Sequence, residues 1–382
     1  MRINRVFLRK SKAFLRIGID ARFVGPQGTG LGKYTEKLIE NLQKIDSKNS
    51  YAIFLKQANW DHLKLQNKNF KKTLADISWY SLEEQLKMAG IYNEQNLDLL
   101  HVPHFNVPIL YRKKFIVTIH DLIHHDFSQE SATTKNPLIY KLKRGAYKYT
   151  IRNAVKKSQK IIVPSEFVKG QLLTKFGTDE SKIKVIYEAA EEEYFNHQPS
   201  TISHQPSFLY VGNAYPHKNL NNLLDAFRIL TTNHQPPTTK LILVCPRDIF
   251  WQRLQKEIKS RNLEKTVEVK GYLDTGELSK LFQKAQAYVF PSLSEGFGIP
   301  GLNAMAAGVP VLASNIPTLQ EIYQDAAVYF DPNDPADIAD KIITLLSSAK
   351  IKDELVKKGL AQVKKYSWQK MAEETLAVYE NS

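Results

Sequence analysis

An α/β protein made of two Rossmann-like domains with parallel sheets is predicted by three observations. Short apolar runs alternate with helix-length segments along the chain, the alternation breaks once and then restarts, and 382 residues exceed what one ordinary core accommodates. Hydrophobic residues make up 43% of the chain, enough for two folded cores and too many for a disordered polymer.

The first half begins its pattern with "FLRIGIDARF", an apolar run that reaches Asp20 and leads into "VGPQGTGLGKYTEKLIENLQKI", a glycine-rich loop followed by an amphipathic helix pattern. "SYAIFL", "LDLLHVP", "FIVTIHDL", "KIIVPS" and "IKVIYEAA" are further strand candidates separated by helical lengths. "EEEYFNHQPSTISHQPS" is rich in Pro, Ser, His and Gln and reads as a linker. The alternation resumes with "SFLYVGN", "KLILVCP", "TVEVKGYL", "AYVFPS" and "VPVLAS", and the chain ends in the helical pattern "YSWQKMAEETLAVYENS". Residues 1–195 form the predicted first domain, 206–365 the second, and 366–382 a terminal helix.

Composition narrows the class. The single cysteine, Cys245, lies in "LILVC" and reads as a buried strand thiol, which leaves no disulfide and no cysteine metal site. No apolar stretch reaches the roughly 18 residues of a spanning helix, and the N-terminus lacks a long apolar core with a small-residue cleavage site. A cytoplasmic protein is expected, with peripheral attachment to the inner membrane face as a further option. The net charge of +14 is uneven: residues 1–195 hold 33 Lys and Arg against 20 Asp and Glu, and the remainder holds 20 against 19. The excess suits an anionic membrane surface or nucleic acid as partner of the first half, or simply a lysine-rich soluble surface.

Parallel sheets bind ligands outside the carboxyl ends of their strands, so the loops there carry the argument. In "GPQGTGLGKY", Gly28, Gly30 and Gly32 let backbone approach a ligand, and the next helix offers amides to an anion. A Walker A loop is excluded because Gln27 stands where the first glycine belongs, and a dinucleotide fingerprint because "FLKQ" supplies no acidic residue. Either a different phosphate-bearing ligand or a plain tight turn is left. In "VTIHDLIHHDF", His120 and Asp121 stand at a strand end and aim into a crevice; His124, His125 and Asp126 lack an established zinc spacing. In "YVGNAYPHKNL", Lys218 follows a glycine-ended strand, where a cation can face phosphate, although a surface lysine would look the same.

The segment "PSLSEGFGIPGLNAMAAG" decides among these readings. Gly296 and Gly298 free the amides of a turn after the strand, Pro300 suits a helix start, and small residues thin the helix that follows. Diphosphate on amides with Glu295 gripping nearby hydroxyls fits a nucleotide-diphosphate sugar.

Together with "VGNAYPHKNL", "IGIDARFVGPQGTGLGKY", "VTIHDLI" and "IIVPSEFVKGQL", this segment resembles glycosyltransferase family 4 over most of the chain. The resemblance implies the GT-B fold, with an N-terminal acceptor domain, a C-terminal donor domain and the last helix crossing back onto the N-terminal one. It implies sugar transfer from a nucleotide diphosphate with retention of configuration and with no metal or other cofactor. Lys218 would neutralise the donor diphosphate, Glu295 would hold sugar hydroxyls, and the Phe297 and Gly298 amides would hold phosphate. Gly30 and its neighbours would approach the donor from the other domain, and His120 would lie near the transferred sugar. His120, Lys218 and Glu295 are thus the expected catalytic residues; Gly28, Gly30, Gly32, Asn213, Gly296, Phe297, Gly298 and Asn303 complete the donor site.

Two positions depart from the family pattern. Asn303 stands where the family places a second glutamate that binds the ribose hydroxyls, and an amide offers one acceptor oxygen and no charge. Asn213 stands where an arginine is common. Between Ser131 and Pro164 there is no acidic residue, while "KNPLIYKLKRGAYKYTIRNAVKKSQK" supplies nine basic ones, so residues 135–160 read as a surface for anionic lipid or as a solvated helix face. The leading expectation is a retaining hexosyltransferase, mannose being the expected sugar, acting on a saccharide or lipid-linked saccharide in cell-surface polysaccharide or glycolipid synthesis, without nucleic acid. The alternatives are another GT-B enzyme, a phosphorylase or sugar-nucleotide epimerase, and a non-catalytic basic protein that binds membrane or nucleic acid.

Overall fold

All six apolar runs of the first half become strands of one parallel sheet, and a seventh joins its edge. The computed structural model describes residues 14–25, 29–127, 137–195, 207–233 and 239–382. In chain order the first half runs β1 (Arg16–Asp20), α1 (Thr29–Ile45), β2 (Ser50–Leu55), β3 (Phe70–Leu74), α2 (Leu82–Glu94), β4 (Leu99–Val102), β5 (Phe115–Thr118), α3 (Ile123–Asp126), α4 (Pro137–Lys157), β6 (Ile161–Val163), α5 (Glu166–Phe176) and β7 (Ile183–Val185). The sheet order is β3-β2-β1-β4-β5-β6-β7, parallel throughout. Central strands buried on both faces read as continuous apolar runs, whereas β3, "FKKTL", sits at an edge where polar residues are tolerated.

The second half repeats the plan with β8 (Ser207–Val211), α6 (Leu220–Asn233), β9 (Lys240–Val244), α7 (Ile249–Ser260), β10 (Val267–Lys270), α8 (Thr275–Lys284), β11 (Ala287–Phe290), α9 (Ile299–Ala306), β12 (Val311–Ser314), α10 (Pro317–Tyr323), β13 (Ala327–Phe330), α11 (Pro335–Ser347), α12 (Ala349–Val363) and α13 (Trp368–Glu380). Its parallel sheet has the order β10-β9-β8-β11-β12-β13. Cys245 directly follows β9 and is buried, which pushes its thiol up to about 12. Most of the expected linker, residues 196–206, lies outside the described residues, but its start does not behave as linker. Glu192–Tyr194 form a 3-10 turn whose Tyr194 is buried against Phe282 at a ring separation of 5.3 Å.

The last helix returns to the first half. α13 lies on α1, and Trp368, Met371 and Tyr379 enter the core that holds Ile17, Tyr34, Leu38 and Tyr51. Its seat is fixed by polar contacts: Trp368 Nε1 donates to the Ala190 carbonyl at 2.9 Å, and Tyr379 Oη lies 2.7 Å from His101 Nδ1 in the middle of the first sheet.

Under β1 the chain buries three charges. The Arg22 guanidinium grips Asp20 through Nε at 2.9 Å and Nη2 at 2.7 Å, and also reaches Glu84 at 2.6 Å. Burial pushes Asp20 up but Arg22 outweighs it, holding the carboxyl below its usual range; for Glu84 burial wins and the carboxyl is raised. The group joins β1 to the start of α2, and removing one partner of such a set strands the others. Arg22→Leu should therefore cost about 3–5 kcal/mol and lower the calorimetric melting temperature, because Asp20 and Glu84 would be left facing each other without a cation.

Candidate functional site

Both sheets reverse strand order at their centre, between β1 and β4 in the first and between β8 and β11 in the second. Such points open a crevice at the carboxyl ends of the strands. Here the two crevices face one another and form a single cleft of about 1430 Å³.

On the second-half wall, Lys218 closes a 3-10 turn (Pro216–Lys218) after β8, and Glu295 lies in the loop after β11. Lys218 Nζ and Glu295 Oε1 are 2.6 Å apart, with both side chains largely buried. The two loops are sewn together: Asn219, left-handed at φ +58°, donates to the Pro291 carbonyl at 3.0 Å, and the Leu293 amide donates to the His217 carbonyl at 2.8 Å. Gly298, at φ +109°, begins α9 without a side-chain cap and lines the cleft; Pro300 carries no N–H, and the Gly301 amide donates to the Gly298 carbonyl at 3.2 Å. Phe297 is buried beside Tyr187, and Asn213 lines the cleft with its Oδ1 accepting from the Tyr215 amide at 3.3 Å.

The first-half wall brings His120 to the same place. It follows β5, packs edge-on to Tyr34 at 4.6 Å, and puts Nδ1 2.9 Å from Glu188 Oε1 and Nε2 3.2 Å from the Pro103 carbonyl. With an acceptor on each nitrogen, a neutral ring satisfies only one of them. The halves touch at Gly296: a Cβ there would lie 1.9 Å from the His120 carbonyl oxygen, so only glycine lets the two backbones meet. Ser165 Oγ, at the start of α5, donates to the Gly296 carbonyl at 2.8 Å from the same side.

The structure does not gather all the expected glycines. α1 starts at Thr29, so Gly30 and Gly32 belong to its first turn rather than to a loop. Gly30 lines the cleft; Gly32 instead lies under the Phe23 carbonyl, which a Cβ would meet at 2.3 Å, so its smallness serves helix packing. Gly28 is outside the described residues. His124, His125 and Asp126 form the short α3, where Asp126 pairs with Lys175. Among the described residues no three His, Cys, Asp or Glu side chains are grouped to hold a metal.

Residues 62–194 match the family model described as Glycosyltransferase Family 4, and residues 193–362 match Glycosyl transferases group 1. The chain belongs to glycosyltransferase family 4. It is 26% identical over 324 residues to the O-antigen chain mannosyltransferase RfbU of Salmonella typhimurium, covering 81% of this chain and 85% of that protein. It is also 26% identical over 380 residues to the O-antigen chain mannosyltransferase B of Escherichia coli, covering 92% and 96%. Its fold is GT-B. HepE of Anabaena, solved in complex with UDP and glucose, superposes with a TM-score of 0.73 over 97% of this chain and 100% of that one, at 14% identity.

The glycosyltransferase cleft holds further groups that the motifs did not announce. Glu188 partners His120 from the loop after β7. Glu191, at the start of the expected linker, receives Lys33 at 3.3 Å on Oε2, while its amide donates to Asn303 Oδ1 at 2.9 Å. Asn303 is thus engaged by Glu191, and the carboxylate absent from position 303 has a neighbour at position 191. The local signal was the run Glu191-Glu192-Glu193, which looks like a solvated charge cluster until α1 and α9 close on it.

Three histidines of the transferase are held uncharged. Burial, with His120 close by, lowers His101 and His104 to about 3, and burial beside Lys218 does the same to His217. The unfolded chain takes up protons near the ordinary 6.5 that the folded chain refuses until about 3. Stability is therefore complete above the unfolded value and falls as pH drops through that window. Melting temperatures measured from pH 7 to 4 should decline, and less steeply in His101→Gln, which has no ring to protonate.

Proposed function

We propose that the protein is a retaining, metal-independent mannosyltransferase that moves mannose from a nucleotide diphosphate to a saccharide acceptor, lipid-linked, during synthesis of a surface polysaccharide. The observation that carries this reading is the Lys218–Glu295 pair at the mouth of an uncapped helix, opposite His120. The two O-antigen mannosyltransferase relatives support the choice of sugar and pathway class.

In this reading the cation and carboxylate neutralise each other until the donor arrives. The diphosphate takes Lys218 and the Phe297 and Gly298 amides, which frees Glu295 to accept from hydroxyls of the sugar. The bond from the anomeric carbon to phosphate oxygen breaks, and the acceptor oxygen bonds the same carbon on the same face. The acceptor proton passes to the departing phosphate oxygen, and Lys218 stabilises the charge that develops there. His120, oriented by Glu188, hydrogen-bonds the transferred sugar, and Gly30 approaches the donor from α1.

Thermal shift with GDP, UDP, dTDP and ADP tests the donor site, since a ligand of the folded state raises its stability. One nucleotide should raise the melting temperature of the wild type, and Lys218→Ala should lose about 1.5–3 kcal/mol of that binding, roughly 10- to 150-fold in affinity. If GDP is that nucleotide, GDP-mannose should turn over equally with and without EDTA. No shift with any of the four would overturn the donor assignment.

The acceptor's lipid is read from α4. Leu142 and Tyr149 are 75% and 60% exposed beside Arg144, Lys148 and Arg152, and Lys143 and Arg144 line the cleft. Such a helix suits anionic lipid next to the acceptor entrance, each basic residue contributing about 1 kcal/mol near the surface. Sedimentation with vesicles of phosphatidylglycerol should carry the protein down at physiological salt, and replacement of Arg144, Lys148 and Arg152 by glutamine should release it; recovery of the wild type in the supernatant sinks the lipid contact.

A further inference from the structure

Tyr80 holds a backbone conformation that a bulky side chain avoids. Its φ is +57°, in the left-handed region, where a bulky non-glycine residue is strained and persists only if its surroundings enforce it. Those surroundings are the buried charges under β1. The Tyr80 amide donates to Glu84 Oε2 at 2.7 Å, Glu84 Oε1 is held by Arg22, and Asn106 Nδ2 donates to Glu84 Oε2 at 2.5 Å. The strain does not bury the ring. Tyr80 is 60% exposed and stands on the first-half wall of the cleft, between Phe23 and Phe105.

The phenol is polarised as well as displayed. Tyr80 Oη lies 3.2 Å from His104 Nε2, and the Asn106 amide donates to His104 Nδ1 at 3.3 Å. His104 is neutral, so with Nδ1 accepting, its one proton sits on Nε2 and is donated to Tyr80. Tyr80 Oη is already an acceptor in that bond, which leaves its own O–H to donate into the cleft. An exposed aromatic face with one directed donor beside it suits a hydroxylated ring, whose C–H face covers the aromatic surface and whose oxygen takes the proton. Asn106 and Gln85 line the same wall but are tied to one another, with Gln85 Nε2 donating to Asn106 Oδ1 at 3.5 Å and Gln85 Oε1 accepting from the Ile109 amide at 3.0 Å.

We propose that Tyr80, oriented by His104, binds a pyranose ring of the acceptor saccharide on the first-half wall of the cleft. The inference rests on the glycosyl-transfer reading, and it names a binding residue and a positioning residue for the acceptor. Octyl α-D-mannopyranoside is a suitable probe, titrated calorimetrically into protein saturated with GDP. The wild type should bind it, Tyr80→Phe should bind about tenfold more weakly through loss of one hydrogen bond, and Tyr80→Asn, which the left-handed backbone accepts, should show no binding. His104→Gln, which can still donate from its amide, should retain more affinity than His104→Phe; a purely structural His104 would not discriminate between them in this way. Equal affinity of Tyr80→Phe, Tyr80→Asn and wild type, or no binding to a wild type that GDP stabilises, overturns the acceptor assignment and leaves the donor site standing. A wild type that responds to none of GDP, UDP, dTDP and ADP and does not bind the glycoside overturns both.

Discussion

The cleft depends on one steric constraint, the meeting of two backbones at Gly296 and His120. A Cβ on Gly296 would overlap the His120 carbonyl, so the loop after β11 reaches the end of β5 only because position 296 has no side chain. That contact sets the distance between two crevices that parallel sheets create independently at their switch points. Lys218 and Glu295 are fixed to one side of it, and His120, Glu188 and Pro103 to the other. Ser165 reinforces it by holding the same glycine's carbonyl, and Glu321 of α10 accepts from the first amides of α5 at 2.8 and 3.1 Å, giving that helix a carboxylate cap from the other half. The geometry of the cleft in this family 4 glycosyltransferase is therefore a property of the joint, not of either sheet alone.

Charge is handled differently on the two sides. The Lys218–Glu295 pair is mutually satisfied and faces the cleft. The Asp20–Arg22–Glu84 group is sealed away and has two acids for one base, an arrangement whose energetic contribution to stability is weak but whose geometric demands are strict. Its benefit is conformational: it fixes the start of α2 and forces Tyr80 into the left-handed region.

Much of this was legible in the residues. The alternation of apolar runs gave both sheets except one edge strand of each, since two of the five residues of β3 are lysine and β13, "AVYF", is short and borders a polar stretch. Lys218, Glu295, Gly296 and His120 were readable because each belongs to a local motif at a strand end, and local spacing survives folding. Glu188, Glu191 and Tyr80 were not, because nothing in their neighbours distinguishes them from surface positions; they acquire partners 68, 112 and 24 residues away, respectively His120, Asn303 and His104. The glycine run divides. Three glycines in one stretch suggested a ligand loop; Gly30 lines the cleft from the first turn of α1, whereas the smallness of Gly32 answers to the Phe23 carbonyl.

The return of α13 to α1 has a consequence for how the chain is made. The face of α1 that α13 covers, together with Tyr51 and His101, is synthesised long before α13, its cover. Until that helix emerges, the first sheet can pair its strands but one flank of its core stays open to water. Closure then requires contacts such as that of His101 with Tyr379, 278 residues apart, the kind of pairing that forms slowly and leaves apolar surface exposed meanwhile. The half that leaves the ribosome first is consequently the last to be completed.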